Sequence, residues 1–176
     1  MTGRGEAEET GGGGGAVQTS GPDTGEPAPQ GRGRPDCRGD RGRDRRIVLR
    51  GVRRQVARGR EFAREVLAEW GWDGHDTAED ALLVVSELLA NASLHADGCH
   101  ELRLAAGNAF RIEVCDGVGA LPRLLPAPRP GVPGGHGLHV VRRLADRWGA
   151  EAHEHGKVVW AEIDAERMRT GLPKRG

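Results

Sequence analysis

The feature that most constrains the fold is residues 76–96, DTAEDALLVVSELLANASLHA, which have the composition of one long helix. The stretch contains no Gly or Pro and few β-branched residues, and Asp76 or Thr77 is placed to cap its start. At about 100° per residue, its apolar side chains lie nearly all round the middle of the helix. Such a pattern is typical of a buried helix. The rest of the chain must therefore supply a core around it.

Three polar side chains, Glu87, Asn91 and His95, line one edge of this helix. A buried carboxylate needs a partner, because an unpaired charge in an apolar setting is costly. One interpretation is structural: an Arg from a neighbouring element pairs with Glu87, and backbone groups satisfy Asn91. The other is that Glu87 and Asn91 face a bound ligand or metal ion. The helix alone favours the structural interpretation, whereas the motifs downstream favour the ligand.

Composition argues against several classes of protein. The chain has 26 basic and 26 acidic residues, so its bulk charge favours neither nucleic acid nor a membrane surface as partner. Cys37, Cys99 and Cys115 lie far apart without CxxC spacing, which indicates reduced thiols rather than a disulfide frame or a zinc site. No apolar run approaches a membrane span, and the N-terminus lacks the apolar core of a signal peptide. We expect a soluble, cytoplasmic protein.

Residues 1–45 are expected to form a disordered arm. They include five consecutive glycines at residues 11–15 and too few apolar residues to join a core. The Arg-rich second half has two interpretations, an electrostatic arm for nucleic acid or a solvated tail. We prefer the tail, because aromatic residues that would stack on bases are absent. Residues 46–165 are expected to form the folded domain, and residues 166–176 a flexible, basic C-terminal tail.

Hydrophobic periodicity predicts the elements of the domain. Apolar residues alternate with polar ones on either side of a Gly107-Asn108 turn, which indicates a hairpin with one buried face. The expected order is strand 47–49, helix 52–70, helix 76–96, strands 101–104 and 110–115, helix 138–147, and strands 148–154 and 157–163.

Two glycine-rich turns carry residues suited to binding chemistry. Asp116 ends the second hairpin strand just before Gly-Val-Gly at residues 117–119, where a carboxylate can accept a hydrogen bond from a ligand amino group. Gly-Gly-His-Gly at residues 134–137 opens a helix, and the free N–H groups there suit a phosphate. Asn91 can ligate Mg²⁺ through its carbonyl oxygen. Glu87, one turn away, can orient or deprotonate a nucleophile.

These motifs, in this order, resemble the conserved boxes of a known superfamily. ELLANASLHA, VCDGVG, GGHGL and a closing GKVVWAEI are similar to the N, G1 and G2 boxes and the last strand of the GHKL ATPases. The compact size resembles their anti-sigma-factor serine/threonine kinase branch. The resemblance covers residues 46–164 and implies the Bergerat fold. This is an α+β, two-layer sandwich in which helices cover one face of a mixed, mostly antiparallel sheet and ATP lies under a mobile lid.

The resemblance also implies a role for individual residues. Glu87 would be the catalytic carboxylate, Asn91 would hold Mg²⁺, and Asp116 would read the adenine amino group. His95 lies where family members often have His, and its role is less clear. The remaining nucleotide contacts would come from the two glycine-rich turns and the helix start, namely Gly119, Gly135, Gly137 and Leu138.

The chain departs from the family pattern at two places. The G1 box usually reads D-x-G-x-G, whereas here Gly117 follows Asp116 directly and the spacing is shifted, which affects the fit on the adenine side. The lid, residues 120–134, is short and rich in Pro, which favours extended backbone. Its Arg123 and Arg129 have two interpretations, a contact to the γ-phosphate or an ordinary surface position, and we favour the surface position.

The leading functional hypothesis is an ATP-dependent protein serine/threonine kinase. It would use ATP and Mg²⁺ to phosphorylate an anti-sigma-factor antagonist and regulate transcription by partner switching, with a sigma factor as a second candidate partner. The alternative is an ATP-binding switch without significant kinase activity. The ATP-binding half of a histidine kinase ranks last, because the N-terminal arm is not a helix with an acceptor His. A small-molecule hydrolase is disfavoured, since no nucleophile elbow is present. We expect no nucleic-acid or membrane partner, and homodimerisation stays open.

Deleting residues 1–45 should leave ATP affinity unchanged within error, because the arm lacks the apolar residues needed to join a core. Calorimetric titration of the full chain and the truncated chain with Mg²⁺-ATP measures the difference. A large loss of affinity in the truncated chain would show that the Arg-rich arm contacts the nucleotide.

Overall fold

The computed structural model describes residues 43–123 and 136–174, to which all structural statements below refer. The elements in chain order are β1 (Asp44–Val48), α1 (Gln55–Glu69), α2 (Asp76–His95), β2 (Cys99–Ala106), β3 (Ala109–Asp116), α3 (Gly137–Leu144), β4 (Arg147–His153), β5 (Gly156–Asp164) and α4 (Ala165–Thr170). The contact expected from Gly135 and the role considered for Arg129 fall outside the described residues. Most of the N-terminal arm, residues 1–45, also falls outside the described residues. Its last residues are described, and β1 begins among them at Asp44.

The described strands form one sheet with the order β1-β2-β3-β5-β4, in which every neighbouring pair is antiparallel. The predicted hairpin is confirmed: in β2 and β3, Leu102 lies opposite Val114, and Leu104 lies opposite Ile112. These four side chains are fully buried under the helices. The α+β sandwich is therefore confirmed, and it is built on alternating apolar residues along each strand.

The outer face of the sheet is covered by charged side chains rather than by helices. Arg111 donates hydrogen bonds to Glu113 at 2.7 Å and to Glu162 at 2.8 Å, and its guanidinium lies 4.4 Å from the ring centre of Trp160. Burial alone would raise the pKa of Glu162, but hydrogen bonds from Arg147 and Arg111 outweigh it and lower the pKa. This row of ion-paired side chains keeps the outer face of the sheet polar, although Arg111 and Glu162 are themselves buried.

Helix α2 lies between α1 and α3 and against the sheet. Gly59 of α1 makes the first of these contacts possible, since a Cβ atom there would lie 2.3 Å from the Leu89 side chain. The expectation that α2 is buried on all sides is wrong on one face, where Leu83 is exposed and Leu94 is 66% exposed. Glu87 lies on this open face.

The start of α1 (three residues later than predicted), the cap of α2 and the end of α3 differ from the predictions. The residue that caps α2 is His75, without a side-chain hydrogen bond, so neither Asp76 nor Thr77 has the predicted role. The Thr77 hydroxyl instead lies 3.3 Å from the carbonyl oxygen of Leu172, to which it donates. Helix α3 ends at Leu144, three residues earlier than predicted, because Arg147 already begins β4.

The C-terminal segment is folded, so the prediction of a flexible tail is wrong for most of its residues. Helix α4 buries Met168 completely in the core. Lys174 Nζ donates to the carbonyl oxygens of Arg142 at 2.9 Å and of Ala145 at 2.7 Å. Arg167 Nη1 donates to the carbonyl oxygen of Leu144 at 3.1 Å. The basic residues therefore satisfy the last carbonyl groups of α3, which otherwise lack partners.

Met168→Ala should lower the free energy of unfolding by about 2–5 kcal/mol, because it removes a fully buried side chain and leaves a cavity. Leu172→Ala is the matched control in the same segment, since that side chain is 50% exposed and should cost less than about 1 kcal/mol. Urea denaturation of the two variants measures both changes. Equal stabilities of the two variants would show that α4 does not pack as described.

Candidate functional site

The N-terminus of α3 lies against the middle of α2. A Cβ atom at Gly137 would be 2.6 Å from Glu87 Oε2, so the first residue of α3 approaches the Glu87 carboxylate closely. Near the other end of α3, Arg143 lies close to Asp80: burial raises the pKa of Asp80, while Arg167 and Arg143 lower it. Helix α3 therefore runs antiparallel to α2, and its free N–H groups point toward the end of α2 that carries Asn91.

Glu87 and Asn91 are half-buried and have no partner among the described side chains. None of the ion pairs in this part of the chain involves Glu87. The α2 side chains that make hydrogen bonds there are Thr77, Glu79, Ser86 and Ser93. The structural interpretation, in which an Arg pairs with Glu87, thus has no counterpart in the described residues. Both polar groups remain available to a ligand.

Asp116 ends β3 on the helix side of the sheet, and its side chain is completely buried. Its Oδ1 accepts hydrogen bonds from the backbone N–H of Val118 at 2.9 Å and from Lys157 Nζ at 2.9 Å. Oδ2 lies 2.8 Å from the same Nζ, yet it is buried without a well-directed hydrogen bond. Asp116 Oδ2 is therefore held by the ion pair with Lys157, and a carboxylate oxygen of this kind can still accept a hydrogen bond from a ligand that donates.

Lys157 and Gly156 belong to this site, and the sequence analysis missed both. Lys157 lies directly opposite Asp116 in the β3–β5 ladder. Gly156 has φ 143°, and a Cβ atom there would lie 1.8 Å from the Asp116 carbonyl oxygen, so only Gly permits this close approach. The register of the β3–β5 pair could have revealed Lys157. The buried residues of β5 lie opposite those of β3, and continuing this pairing to the start of β5 places Lys157 beside Asp116.

The other predicted site residues are distributed around α3 and the turn after β3. The Leu138 side chain is buried in the core, so only its backbone N–H, at the start of α3, would be available to a ligand. At Gly119 a Cβ atom would meet only the Gly156 carbonyl oxygen, at 3.6 Å, so the backbone leaves room there. His95 and Arg123 are exposed.

The polar groups of the candidate site in the described residues suit a nucleotide that binds together with Mg²⁺. No group of three or more His, Cys, Asp or Glu in this part of the chain is arranged to hold a metal ion. Mg²⁺ needs no such cage, because it is usually bound through one or two protein oxygens, phosphates and water. Asn91 would supply one oxygen, the N–H groups at the start of α3 suit phosphate, and Asp116 Oδ2 suits an amino group.

Two clefts open at the edge of the sheet where β3 ends. One, of about 760 Å³, lies between the start of α1 and the end of α2. The other, of about 560 Å³, is bordered by Gly117, Gly119 and the turn between β4 and β5. Neither is lined by Glu87 or Asn91. We place the candidate site at those two residues, because ligand chemistry depends on the available polar groups rather than on the volume of a cleft.

A family model described as "Histidine kinase-like ATPase domain" matches residues 51–163. The chain belongs to this family. The matched segment runs from just before α1 to the end of β5 and contains Glu87, Asn91, Asp116 and Gly137. As a histidine kinase-like ATPase domain it belongs to the GHKL superfamily, whose shared property is ATP binding. A comparison with curated proteins found no match. In the described residues, no helix is long and apolar enough to cross a membrane.

The two described cysteines of this ATPase domain flank the buried carboxylate. Cys99 lies opposite Asp116 in the β2–β3 ladder, and Cys115 precedes it. Burial raises the pKa of the Cys99 thiol to about 12, with further contributions from Cys115 and Asp116. Burial also raises the pKa of Cys115 to about 11, helped by Glu101 and Glu113. Both thiols are free in the structure, and both are protonated at neutral pH.

In a Cys37→Ser variant, alkylation by iodoacetamide at pH 8 should be very slow in the native protein, because thiolate is the reacting species. The raised pKa values lower the thiolate fraction about 1,000-fold for Cys99 and about 100-fold for Cys115, relative to the ordinary value of 9.0. Mass spectrometry should show both thiols modified rapidly once urea unfolds the chain. Rapid labelling of the native variant would contradict the buried positions.

Proposed function

We propose that this protein is an ATP-dependent protein serine/threonine kinase of the anti-sigma-factor type. The observation that supports it is the pair of polar groups on α2, Glu87 and Asn91, which have no partner among the described side chains and lie beside the N-terminus of α3. Half-buried polar groups lose part of their hydration without gaining a partner in the described residues, so a ligand that uses both would satisfy them. Family membership supports ATP as that ligand.

In the proposed reaction, each residue acts on a different part of the complex. When bound, ATP would supply the γ-phosphoryl group and leave as ADP, and Mg²⁺ would offset the charge of the phosphates. Asn91 holds the metal, and the backbone N–H groups from Gly137 onward bind phosphate oxygens. Glu87 accepts the proton of the attacking serine hydroxyl and orients that oxygen. Asp116 accepts a hydrogen bond from the adenine amino group, which fixes the register of the nucleotide along α2.

The proposed phosphate acceptor is an anti-sigma-factor antagonist, and a sigma factor is the second proposed partner. Regulation would follow from partner switching, since phosphorylation adds charge to the antagonist and changes what it binds. The exposed Leu94 lies one turn beyond Asn91 and favours a second candidate function, an ATP-binding switch that acts by binding partners without phosphotransfer. An apolar side chain at the rim of the site gives a partner surface whose accessibility depends on the nucleotide.

The Glu87→Gln and Asn91→Ala variants should differ in whether they lose phosphotransfer alone or ATP affinity as well. Glu87→Gln keeps the shape of the side chain but removes the base, so phosphotransfer should fall by about 10²–10⁴ while ATP affinity is largely kept. Asn91→Ala removes an oxygen ligand of Mg²⁺, so both binding and phosphotransfer should fall. Transfer of radiolabelled phosphate to candidate antagonist domains, together with calorimetric titration of Mg²⁺-ATP, separates the two effects.

Glu79→Gln is the matched control, because Glu79 is an exposed carboxylate near the start of the same helix. It should retain both activities. A fully active Glu87→Gln variant would contradict the base role. A parent protein that binds ATP but phosphorylates no antagonist would favour the switch. An unfolded Glu87→Gln variant would show that Glu87 is a structural residue after all.

A further inference from the structure

The larger cleft, between the start of α1 and the end of α2, is bordered by strongly basic sequence. It has a volume of about 760 Å³, and Arg50 and Arg54 are among the residues that line it. Residues 50–60, RGVRRQVARGR, contain five arginines and no acidic residue. The chain as a whole has 26 basic and 26 acidic residues. The segment beside this cleft is therefore a local concentration of positive charge on a chain that is neutral overall.

Most of these arginines have no acidic partner in the part of the chain that the structure describes. Within residues 50–60, only Arg60 forms an ion pair there, with Glu79 at 3.1 Å. The other four are exposed and belong to none of the described ion pairs, namely Arg50, Arg53, Arg54 and Arg58. By contrast, Arg103 and Arg167 each pair with an aspartate. Like charges without partners repel one another, so an anionic ligand that neutralises them would bind favourably.

Two residues of the same cleft have an unfavourable backbone conformation. Arg54 and Asp97 both line it, and both have φ 56°, in the left-handed region. In the described part of the chain they are the only residues other than glycine with a positive φ. This conformation costs free energy, above all for a long side chain such as Arg, and strained residues of this kind cluster at binding sites. The backbone therefore points to a function for the cleft independently of its charge.

One side chain holds the basic loop against the sheet. Gln55 Nε2 donates to the carbonyl oxygens of Leu49 at 2.6 Å and of Cys99 at 3.0 Å. Gln55 Oε1 accepts a hydrogen bond from the Cys99 N–H at 2.9 Å. These three bonds join the loop between β1 and α1 to the start of β2. The cleft is thus largely formed before a ligand arrives, so little ordering entropy is lost on binding.

The uncharged residues of the cleft decide which kind of anion fits. None of the described residues that line it is Phe, Trp or Tyr, so bases of a nucleic acid have no such ring on which to stack. Val52, which also lines it, is 37% exposed and suits an apolar side chain. We propose that this cleft docks an acidic segment of a partner protein, whose carboxylates bind Arg50 and Arg54. The inference goes beyond the proposed kinase reaction, because neither Glu87 nor Asn91 lines the cleft.

The direct test uses the unmodified full chain and two peptides that differ only in charge. The probe is a fluorescein-labelled decapeptide of alternating Glu and Ala, and the reference peptide has Gln in place of each Glu. Fluorescence anisotropy at low salt should show at least about tenfold tighter binding of the Glu peptide, because only carboxylates form charge-assisted hydrogen bonds with Arg. Hydrogen exchange should show that this peptide protects residues 50–58. Equal binding of the two peptides, or protection only elsewhere, overturns the proposal.

A pair of double variants separates the cleft from bulk charge. Arg50→Gln combined with Arg54→Gln should weaken binding of the Glu peptide at least about tenfold. The matched control combines Arg142→Gln with Arg143→Gln, which removes two charges from exposed positions on α3 outside the cleft. It should stay within about twofold of the parent. Equal losses in the two double variants would contradict a specific site. If the cleft variant does not fold, hydrogen exchange in the unmodified chain decides.

Two further measurements distinguish this docking site from other roles of the same arginines. An oligothymidylate of the same length that binds more tightly than the Glu peptide, and loses affinity in the cleft variant, would overturn the proposal in favour of a nucleic-acid site. Calorimetric titration with Mg²⁺-ATP should give the same affinity for the cleft variant and the parent. A parallel loss of ATP affinity would place the arginines in the nucleotide site and overturn a separate docking role. Absence of ATP binding by the parent would overturn the kinase proposal alone.

Discussion

Helix α2 must be buried on most of its surface and yet leave Glu87 and Asn91 open. The neighbouring helices meet both requirements. On one side α1 approaches closely because Gly59 has no side chain to keep it away from Leu89. On the other side α3 begins only at the level of Glu87, so on that side the later turns of α2 have no helix beside them among the described residues. The site is therefore a gap in the packing around α2, placed by the position at which α3 begins. That position is maintained from the opposite end of α3, by the basic C-terminal segment.

Local patterns of the sequence are enough to predict the elements that such patterns stabilise. The twenty-residue helix α2 and the β2–β3 hairpin follow from periodicity and from the Gly107-Asn108 turn, and both are present. Helix α4 has only six residues, too few to show a period. Its stability comes from burial of Met168 and from contacts to α3, which are far away in sequence. The sequences of such short segments resemble those of flexible tails, because tertiary packing supplies nearly all of the stability of these segments.

The residues of the candidate site also differ in whether a local sequence pattern reveals them. Glu87, Asn91 and Asp116 could be predicted as site residues because each lies in a short motif or at the end of a strand. Lys157 was not, because its partner Asp116 is 41 residues earlier and only the strand register brings them together. Asp76 and Thr77 were wrong as helix caps for a related reason: Thr77 bonds to a C-terminal carbonyl that no local rule anticipates. Contacts between distant strands and segments therefore add residues to the site that motifs alone do not reveal.

The open face of α2 also has a consequence for the lifetime of the protein. A ligand that binds only the folded chain at this face stabilises it by about 2.7 kcal/mol when its free concentration is a hundred times its dissociation constant. Without the ligand, a half-buried carboxylate, an unpartnered amide and the exposed Leu94 remain uncovered. The empty protein then unfolds more often and is more accessible to proteases. The steady-state amount of this protein should accordingly follow the supply of the ligand, even if its synthesis rate does not change.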